Sequence, residues 1–497
     1  MNGQAMFDRI KSYSPKKELN LLLIAVSSGL YPLIFYISDN YFQINSWQFV
    51  AYLLAVFLLA PLVVIPFVGL LLKRFQLKGI KYLLLTVLNL GCFFFLIHLC
   101  LYGGLRWPIA LVAGILAILL GFLLYRHLRK LILIQLLLAL VGLFYLVVPI
   151  IKDFRYSKEW QQQPDDIEQA IFRKKPNIYF IQPDGYPALS DLSGGYYKQD
   201  VSGIKDFLLS EGFTIYDPFR SNYVSTITSN SATFAMKHHY YNDDTNFGES
   251  INLAGVIVED NSLLRLLRHN GYTTYFLTER PYLLDKGSEF GFDYNNFQNS
   301  NRLTLGDGLN KRRDATVDFV GILEKRETPS FIFMQLFKPW HVPVKKSKSA
   351  GMEAERELWL ERLQVANKEL KATIEVIKEQ DPEALIIVMA DHGGYVGFDY
   401  MLQLHEKTGD ADKIRSMFGV LMAVHWPDDR GALYDGSLKS SVNLFRVVTS
   451  YLAEDVSYLE NLQSDKGFAP IKSGAEKGIY CYIDEHGKIT FRKRKNE

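Results

Sequence analysis

Residues 384–394 read ALIIVMADHGG: six apolar residues with a β-branched centre, then Asp391-His392-Gly393-Gly394 after Ala390. An apolar run this short, without polar alternation, predicts a strand buried on both faces, as in a parallel sheet. The same figure recurs at residues 177–186, NIYFIQPDGY, and at residues 331–341, FIFMQLFKPWH. Further strands are predicted over 273–277 and 419–424, and a helix over 352–379. Strands alternating with helices imply an α/β domain with a mostly parallel central sheet. Such sheets bind ligands at the carboxyl ends of their strands. Three strands here end in chemically useful residues: Asp184, His341 and the pair Asp391-His392.

Carboxylates and imidazoles gathered at strand ends suggest a divalent cation, and that donor set suits Zn²⁺ or Mn²⁺ better than calcium. Taken singly, an Asp-Gly at a strand end is often only a turn. No Ser stands in a GxSxG, which removes the α/β-hydrolase reading. A nucleophile is sought instead in residues 221–236, SNYVSTITSNSATFAM. Its plain reading is a loop and helix cap. Its functional reading is a hydroxyl at a helix mouth, ionised by the cation and the helix dipole. His238-His239 could add a second metal ligand, though adjacent histidines on a polar segment are usually surface residues. His425, before Trp426-Pro427, could face the site or be structural.

The 497 residues divide sharply in charge. From Leu19 to Leu72 the only charged residue is Asp39, whereas from Lys152 onward the chain reads as a soluble protein. A formal net charge of +2 argues against nucleic-acid binding. Five stretches are long enough to cross a bilayer: 19–38, 46–72, 82–105, 107–125 and 131–151. The first is not read as a cleaved signal peptide, since further spans follow. Eleven Lys and Arg in the N-terminal segment and alternate short loops face Arg106 alone on the other side. The N-terminus is therefore expected in the cytoplasm, and everything after Ile151 outside it: in a bacterium, an inner-membrane protein with a periplasmic domain. His98, inside the third span, is expected to bond a neighbouring helix. The organisation read is a five-helix transmembrane bundle over 1–151, an interfacial linker with an amphipathic helix over 152–175, and the α/β domain over 176–497. Arg492–Lys495 reads as a solvated tail. The three cysteines, Cys92, Cys100 and Cys481, cannot staple the polar part.

The order of these motifs resembles the alkaline phosphatase superfamily, in its sulfatase-like membrane branch of lipoteichoic acid synthases and lipid A phosphoethanolamine transferases. The resemblance covers nearly the whole chain. The family's strand-end metal acid matches Asp184. Its Thr-x-x-Ser with a later aromatic matches Thr226-Ile-Thr-Ser229 with Phe234; the register Thr228 with Ser231 also fits Thr-x-x-Ser. Its His-x-Pro matches His341-Val-Pro343, and its Asp-His-Gly matches Asp391-His392-Gly393. The resemblance implies that Asp184, Asp391, His392 and Thr226 hold one metal. It makes Thr226 the nucleophile and His341 a phosphoryl-binding or proton-transferring residue. It implies a membrane phospholipid as donor and a cell-envelope glycan or glycolipid as acceptor. Arg280 stands only loosely for the lipoteichoic branch's Trp-Asn-Arg element, and Ser229 would help hold substrate. Two departures count. The lipoteichoic branch has Glu where Asp184 stands, and no C/S-x-P-x-R occurs, so sulfate ester hydrolysis is not expected. A phosphodiesterase or phosphatase, a non-catalytic lipid-binding relative and a transporter-like protein are the rival readings.

Overall fold

The unbroken apolar runs become the strands predicted for them in a computed structural model. It describes residues 13, 20–41, 44, 46–74, 78–243, 252–284, 290–298, 305–306 and 311–494. The basic residues Arg9, Lys11, Lys16 and Lys17 and the end of the C-terminal tail lie outside them. The chain divides into two units. The first comprises 1–156 with 284–288 and 301–310; the second comprises 157–283, 289–300 and 311–497.

In the first unit, four helices among the described residues are long and apolar enough to cross a membrane: Leu21–Asn40, Trp47–Arg74, Ile80–Tyr102 and Trp107–Phe154. The five stretches predicted from sequence thus give four such helices. The last is 48 residues long, roughly twice a bilayer's need. A 3₁₀ turn at Tyr125–His127 breaks it, and Leu124, at φ −114° and ψ 1°, leaves the helical region. The basic connection expected between the fourth and fifth spans is therefore a single tight turn. Large apolar side chains such as Val63, Phe67, Val112, Leu123 and Phe144 point outward, an arrangement suited to lipid and not to water. Inside, Asn89 and Gln135 exchange reciprocal bonds of 3.1 and 2.9 Å, and Asn89 also donates to Ser27 and to the Ile24 carbonyl. Paired polar groups of this kind fix helices to one another where apolar contact has little driving force. His98 accepts from the backbone N–H of Arg106, the N-cap residue of the next helix, Trp107–Leu124. Leu305, predicted within the α/β domain, is buried with Leu33, Phe57 and Leu96 of this unit, and Tyr36 donates to its carbonyl.

The second unit begins without the amphipathic helix expected over 152–175. Two 3₁₀ turns, Glu159–Gln161 and Ile167–Gln169, take its place, because Pro164 and the adjoining polar residues cannot sustain a helix. Its main sheet has seven strands: β1 (Ile178–Pro183), β2 (Thr214–Ile215), β3 (Thr273–Thr278), β4 (Tyr294–Asn295), β5 (Ser330–Leu336), β6 (Leu385–Met389) and β7 (Met422–His425). Their spatial order is β2-β7-β6-β1-β5-β3-β4. β1 lies between β5 and β6, parallel to both, and β3 is parallel to β5. Every residue of β1, β5 and β6 is buried. Register aligns Phe180, Phe333 and Phe276, whose rings stack across the sheet at 5.1 and 4.9 Å. β7 runs antiparallel, so His425 pairs with Ile386 at the start of β6, at the pole opposite Asp391. There His425 donates through Nδ1 to the Ala384 carbonyl and accepts from Lys378: a structural role. A small antiparallel sheet of β8 (Gly467–Ile471), β9 (Gly478–Ile483) and β10 (Ile489–Lys493) follows, which the sequence reading did not anticipate. Two helices matter for the site: α1 (Thr226–Ala235) and α2 (Met352–Gln380).

Candidate metal and nucleophile site

β1 and β6 are adjacent and parallel, so their carboxyl ends deliver Asp184 and Asp391-His392 to one point. The turns there are tightly determined. Gly185 has φ +71°, and a Cβ on it would lie 2.5 Å from the Trp340 carbonyl. Only glycine lets the loop after β5 close over the turn after β1. Trp340, itself at φ +65°, donates its N–H to the Asp184 carbonyl (2.8 Å) and accepts from the Trp359 indole of α2 (2.7 Å). A non-glycine residue held in the left-handed region marks a place where packing overrides local preference.

Asp391 is fully buried. Its Oδ1 accepts from the N–H groups of Gly185 (3.1 Å) and His392 (3.0 Å). Its Oδ2 and the Oδ1 of Asp184 are buried and have no hydrogen-bond partner. Both face His392 Nε2, at 3.5 and 3.6 Å. The other imidazole nitrogen, Nδ1, donates to the Gly393 carbonyl (2.9 Å), which leaves a lone pair on Nε2. The Tyr395 ring stacks on His392 at 4.8 Å, and the Tyr395 hydroxyl is anchored on the Val224 carbonyl.

The fourth group arrives on α1. Thr226 is the first residue of that helix, and its Oγ1 lies 3.3 Å from His392 Nε2. Thr228, the other register, turns away: its hydroxyl bonds Ser225, while its carbonyl accepts from His239. Ser229 is buried and donates to the Tyr223 carbonyl, fixing the helix start and not facing the gathered donors. One turn in, Asn230 and Gln182 of β1 exchange amide bonds of 2.8 and 2.7 Å, clamping α1 to the strand that carries Asp184. The first-turn N–H groups of a helix have no intrahelical partner, so Thr226 sits where an anion is stabilised.

Three oxygens thus lie 3.3–3.6 Å from one imidazole nitrogen. A tetrahedral cation with bonds of about 2.1 Å separates its ligands by roughly 3.4 Å, so the residues fit such an ion. The ligand atoms of Asp184, Asp391 and His392 lie within 4.8 Å of one another, and among the described residues they are the group of this kind. Burial, and next the neighbouring Asp391, hold the Asp184 carboxyl well above the usual range, while Arg280 and Arg362 oppose that shift. Two buried carboxylates facing one imidazole strongly favour a divalent cation over two bare charges.

His341 is brought alongside. Its ring lies 5.9 Å from that of His392, and its Nδ1 donates to the Val342 carbonyl (2.6 Å). Burial, then the neighbouring His392, push it down to about 3, so it is neutral. Arg280 is buried after β3, with its guanidinium over the Trp340 ring at 4.5 Å. The expectation for His238 and His239 is corrected. Both are buried, and all four of their ring nitrogens are engaged within the fold, with Tyr223, the Ser464 carbonyl, the Thr228 carbonyl and the Tyr241 N–H. His239 also stacks on Tyr223 at 4.0 Å. They support α1 from behind and offer no second metal a ligand. Arg362, Tyr395 and the Gln182–Asn230 clamp were not singled out from sequence. Arg362 sits on a helix full of charged residues, where nothing local distinguishes it.

No family model and no curated protein matches the chain. Solved structures do. The zinc complex of the C-terminal periplasmic domain of EcEptC from Escherichia coli is 14% identical, with a TM-score of 0.43, covering 64% of this chain and 96% of that one. The integral membrane lipooligosaccharide phosphoethanolamine transferase A of Neisseria meningitidis is 13% identical, with a TM-score of 0.39, covering 85% and 95%. The lipoteichoic acid synthase LtaP of Listeria monocytogenes is 14% identical, with a TM-score of 0.40, covering 65% and 91%.

Proposed function

We propose that this protein is a membrane-anchored, metal-dependent transferase that moves a phospholipid headgroup, phosphoethanolamine or phosphoglycerol, to a glycan or glycolipid of the cell envelope. The observation that carries this reading is the convergence of two unpartnered, buried carboxylate oxygens and the Thr226 hydroxyl on one imidazole nitrogen, Nε2 of His392. Asp184, Asp391, His392 and Thr226 would hold one Zn²⁺ or Mn²⁺. When bound, such an ion lowers the pKa of the threonine hydroxyl and polarises a phosphoryl oxygen.

Thr226 Oγ1 attacks the phosphorus of the lipid phosphodiester. The bond from phosphorus to the diacylglycerol oxygen breaks, and the proton from Thr226 leaves on that oxygen. The headgroup remains on the protein as a phosphothreonine ester. His341, neutral and with its Nδ1 proton committed to Val342, keeps one lone pair at Nε2 to carry that proton. In the second half the acceptor hydroxyl gives its proton to His341 as it attacks phosphorus; the phosphorus–Oγ1 bond breaks, and His341 passes that proton to Thr226 Oγ1, restoring both residues. The first-turn N–H groups of α1 stabilise the threonine oxyanion and the attached phosphoryl oxygens. An apolar anchor of five crossings, with the α/β domain in the periplasm of a bacterium, tethers the enzyme to the membrane that supplies the donor.

The test supplies headgroup-labelled phosphatidylethanolamine or phosphatidylglycerol to the full chain with zinc. Diacylglycerol release and a labelled adduct mapped to Thr226 by mass spectrometry are expected. Thr226→Ala removes the adduct, and Thr228→Ala keeps it. Label appearing only as free headgroup phosphate, whatever acceptor is offered, would make the protein a phosphodiesterase instead.

A further inference from the structure

Charge balance at the site exposes a need that the residues above leave open. Asp184 and Asp391 cancel a divalent cation, yet a donor phosphodiester adds one negative charge and the attacking threonine oxygen adds more. Glu279, also near Asp184, offers no cation to spare: its carboxylate accepts from the Phe337 N–H (2.5 Å) and from Lys338 Nζ (2.8 Å), a lysine it shares with Glu369. Two guanidinium groups bracket the Trp340-His341 loop. Arg280 lies over the Trp340 ring. Arg362, on α2, donates to the His341 carbonyl at 3.4 Å and to the Leu358 carbonyl at 3.2 Å. It makes no ion pair within 4 Å among the described residues. Trp359, three residues earlier on α2, donates to the Trp340 carbonyl and so pins that helix to the same loop.

Resting on the phosphoryl-transfer reading, we propose that Arg362 completes an anion subsite with Arg280, gripping a non-bridging phosphoryl oxygen of the donor on the His341 side of the site. Both guanidinium groups lie against the loop that carries His341, whose ring is 5.9 Å from that of His392. Negative charge spreads onto the non-bridging oxygens as phosphoryl transfer proceeds, so a guanidinium there binds the transition state more tightly than the ground state.

The experiment uses the full chain with zinc and phosphatidylethanolamine or phosphatidylglycerol donors carrying sulfur at one non-bridging position, as separate diastereomers. Arg362→Ala should lower kcat/KM for the oxygen donor about 100-fold, the typical effect of removing one oxyanion donor. Arg362→Lys should recover part of it, since lysine supplies charge without the fork. Zinc content should stay unchanged. The preference between the two diastereomers should shift at least about 10-fold in Arg362→Ala, because only one places sulfur against the guanidinium. A second arm titrates inorganic phosphate into the zinc-loaded proteins, where Arg362→Ala should weaken binding about 10-fold. An unchanged diastereomer ratio together with unchanged phosphate binding would overturn the proposal. If the wild type releases no diacylglycerol, the lipid-donor reading fails, and the phosphate arm still decides the arginine.

Discussion

Replacing Asp391 by asparagine separates metal binding from folding, because the geometry dictates how the amide must sit. Oδ1 of Asp391 accepts two backbone N–H groups, from Gly185 and His392. An amide NH₂ in that place would meet two donors, so the asparagine carbonyl takes it. The NH₂ then occupies the position of Oδ2 and points at His392 Nε2, where the anionic acceptor used to be. The fold keeps its hydrogen bonds and the cation loses a charged ligand. Loss of an outer partner of a metal ligand already costs 10–100-fold in affinity, so a loss of at least about 100-fold is expected for a ligand itself. With zinc at about 100 times the wild-type Kd, binding stabilises the wild type by about 2.7 kcal/mol and the variant by only about 0.4 kcal/mol. The difference, about 2.3 kcal/mol, is read from urea unfolding with and without zinc. Without zinc the variant should be no less stable at neutral pH. Asp184 has a raised pKa in the fold, so its contribution favours folding below the ordinary carboxylate pKa of about 4 and is lost as pH rises above it. Removing the Asp391 charge relieves part of that loss. Equal zinc-dependent stabilisation in wild type and Asp391→Asn would refute the metal assignment.

Three further outcomes are expected. Zinc affinity should fall as pH is lowered from 8 to 5, because a cation must displace the proton that burial and Asp391 favour on Asp184; equilibrium dialysis giving one affinity across that range would contradict it. Asn230→Leu should cost about 2–3 kcal/mol in urea unfolding, since it strands the buried amide of Gln182, and turnover should fall as α1 loses its clamp; a cost under about 0.5 kcal/mol would remove the clamp from the argument. A reporter active only outside the cytoplasm, fused after residue 497, should be active, as the eleven-to-one division of Lys and Arg requires; activity of a cytoplasm-only reporter there would reverse the topology.

The strand ends were legible because a parallel sheet writes itself as short unbroken apolar runs, and the residue that follows each run is forced to the ligand-binding face. Asp184, His341, Asp391 and His392 were therefore visible as candidates before any contact was known. Thr226 was visible too, but only as one of two registers. The short strands β2 and β4 and the small C-terminal sheet were not, since two-residue pairings and polar alternation leave little signature. His238 and His239 misled for a related reason: in sequence they border a polar segment, while in the fold the rings of Tyr223 and Phe468 enclose them.

Composition and periodicity alone fixed the division into an apolar N-terminal part and an α/β part, because hydrophobic burial reads local pattern. They also fixed which strand ends carry carboxylates and imidazoles. Tertiary structure decided the rest: that β1 and β6 are neighbours, that the Gln182–Asn230 clamp puts Thr226 and not Thr228 at 3.3 Å from His392, and that Arg362 faces the His341 loop. These depend on which distant segments meet. A site's charge balance and its ligand spacing, at a few ångströms, are properties of that meeting and not of any one stretch of chain.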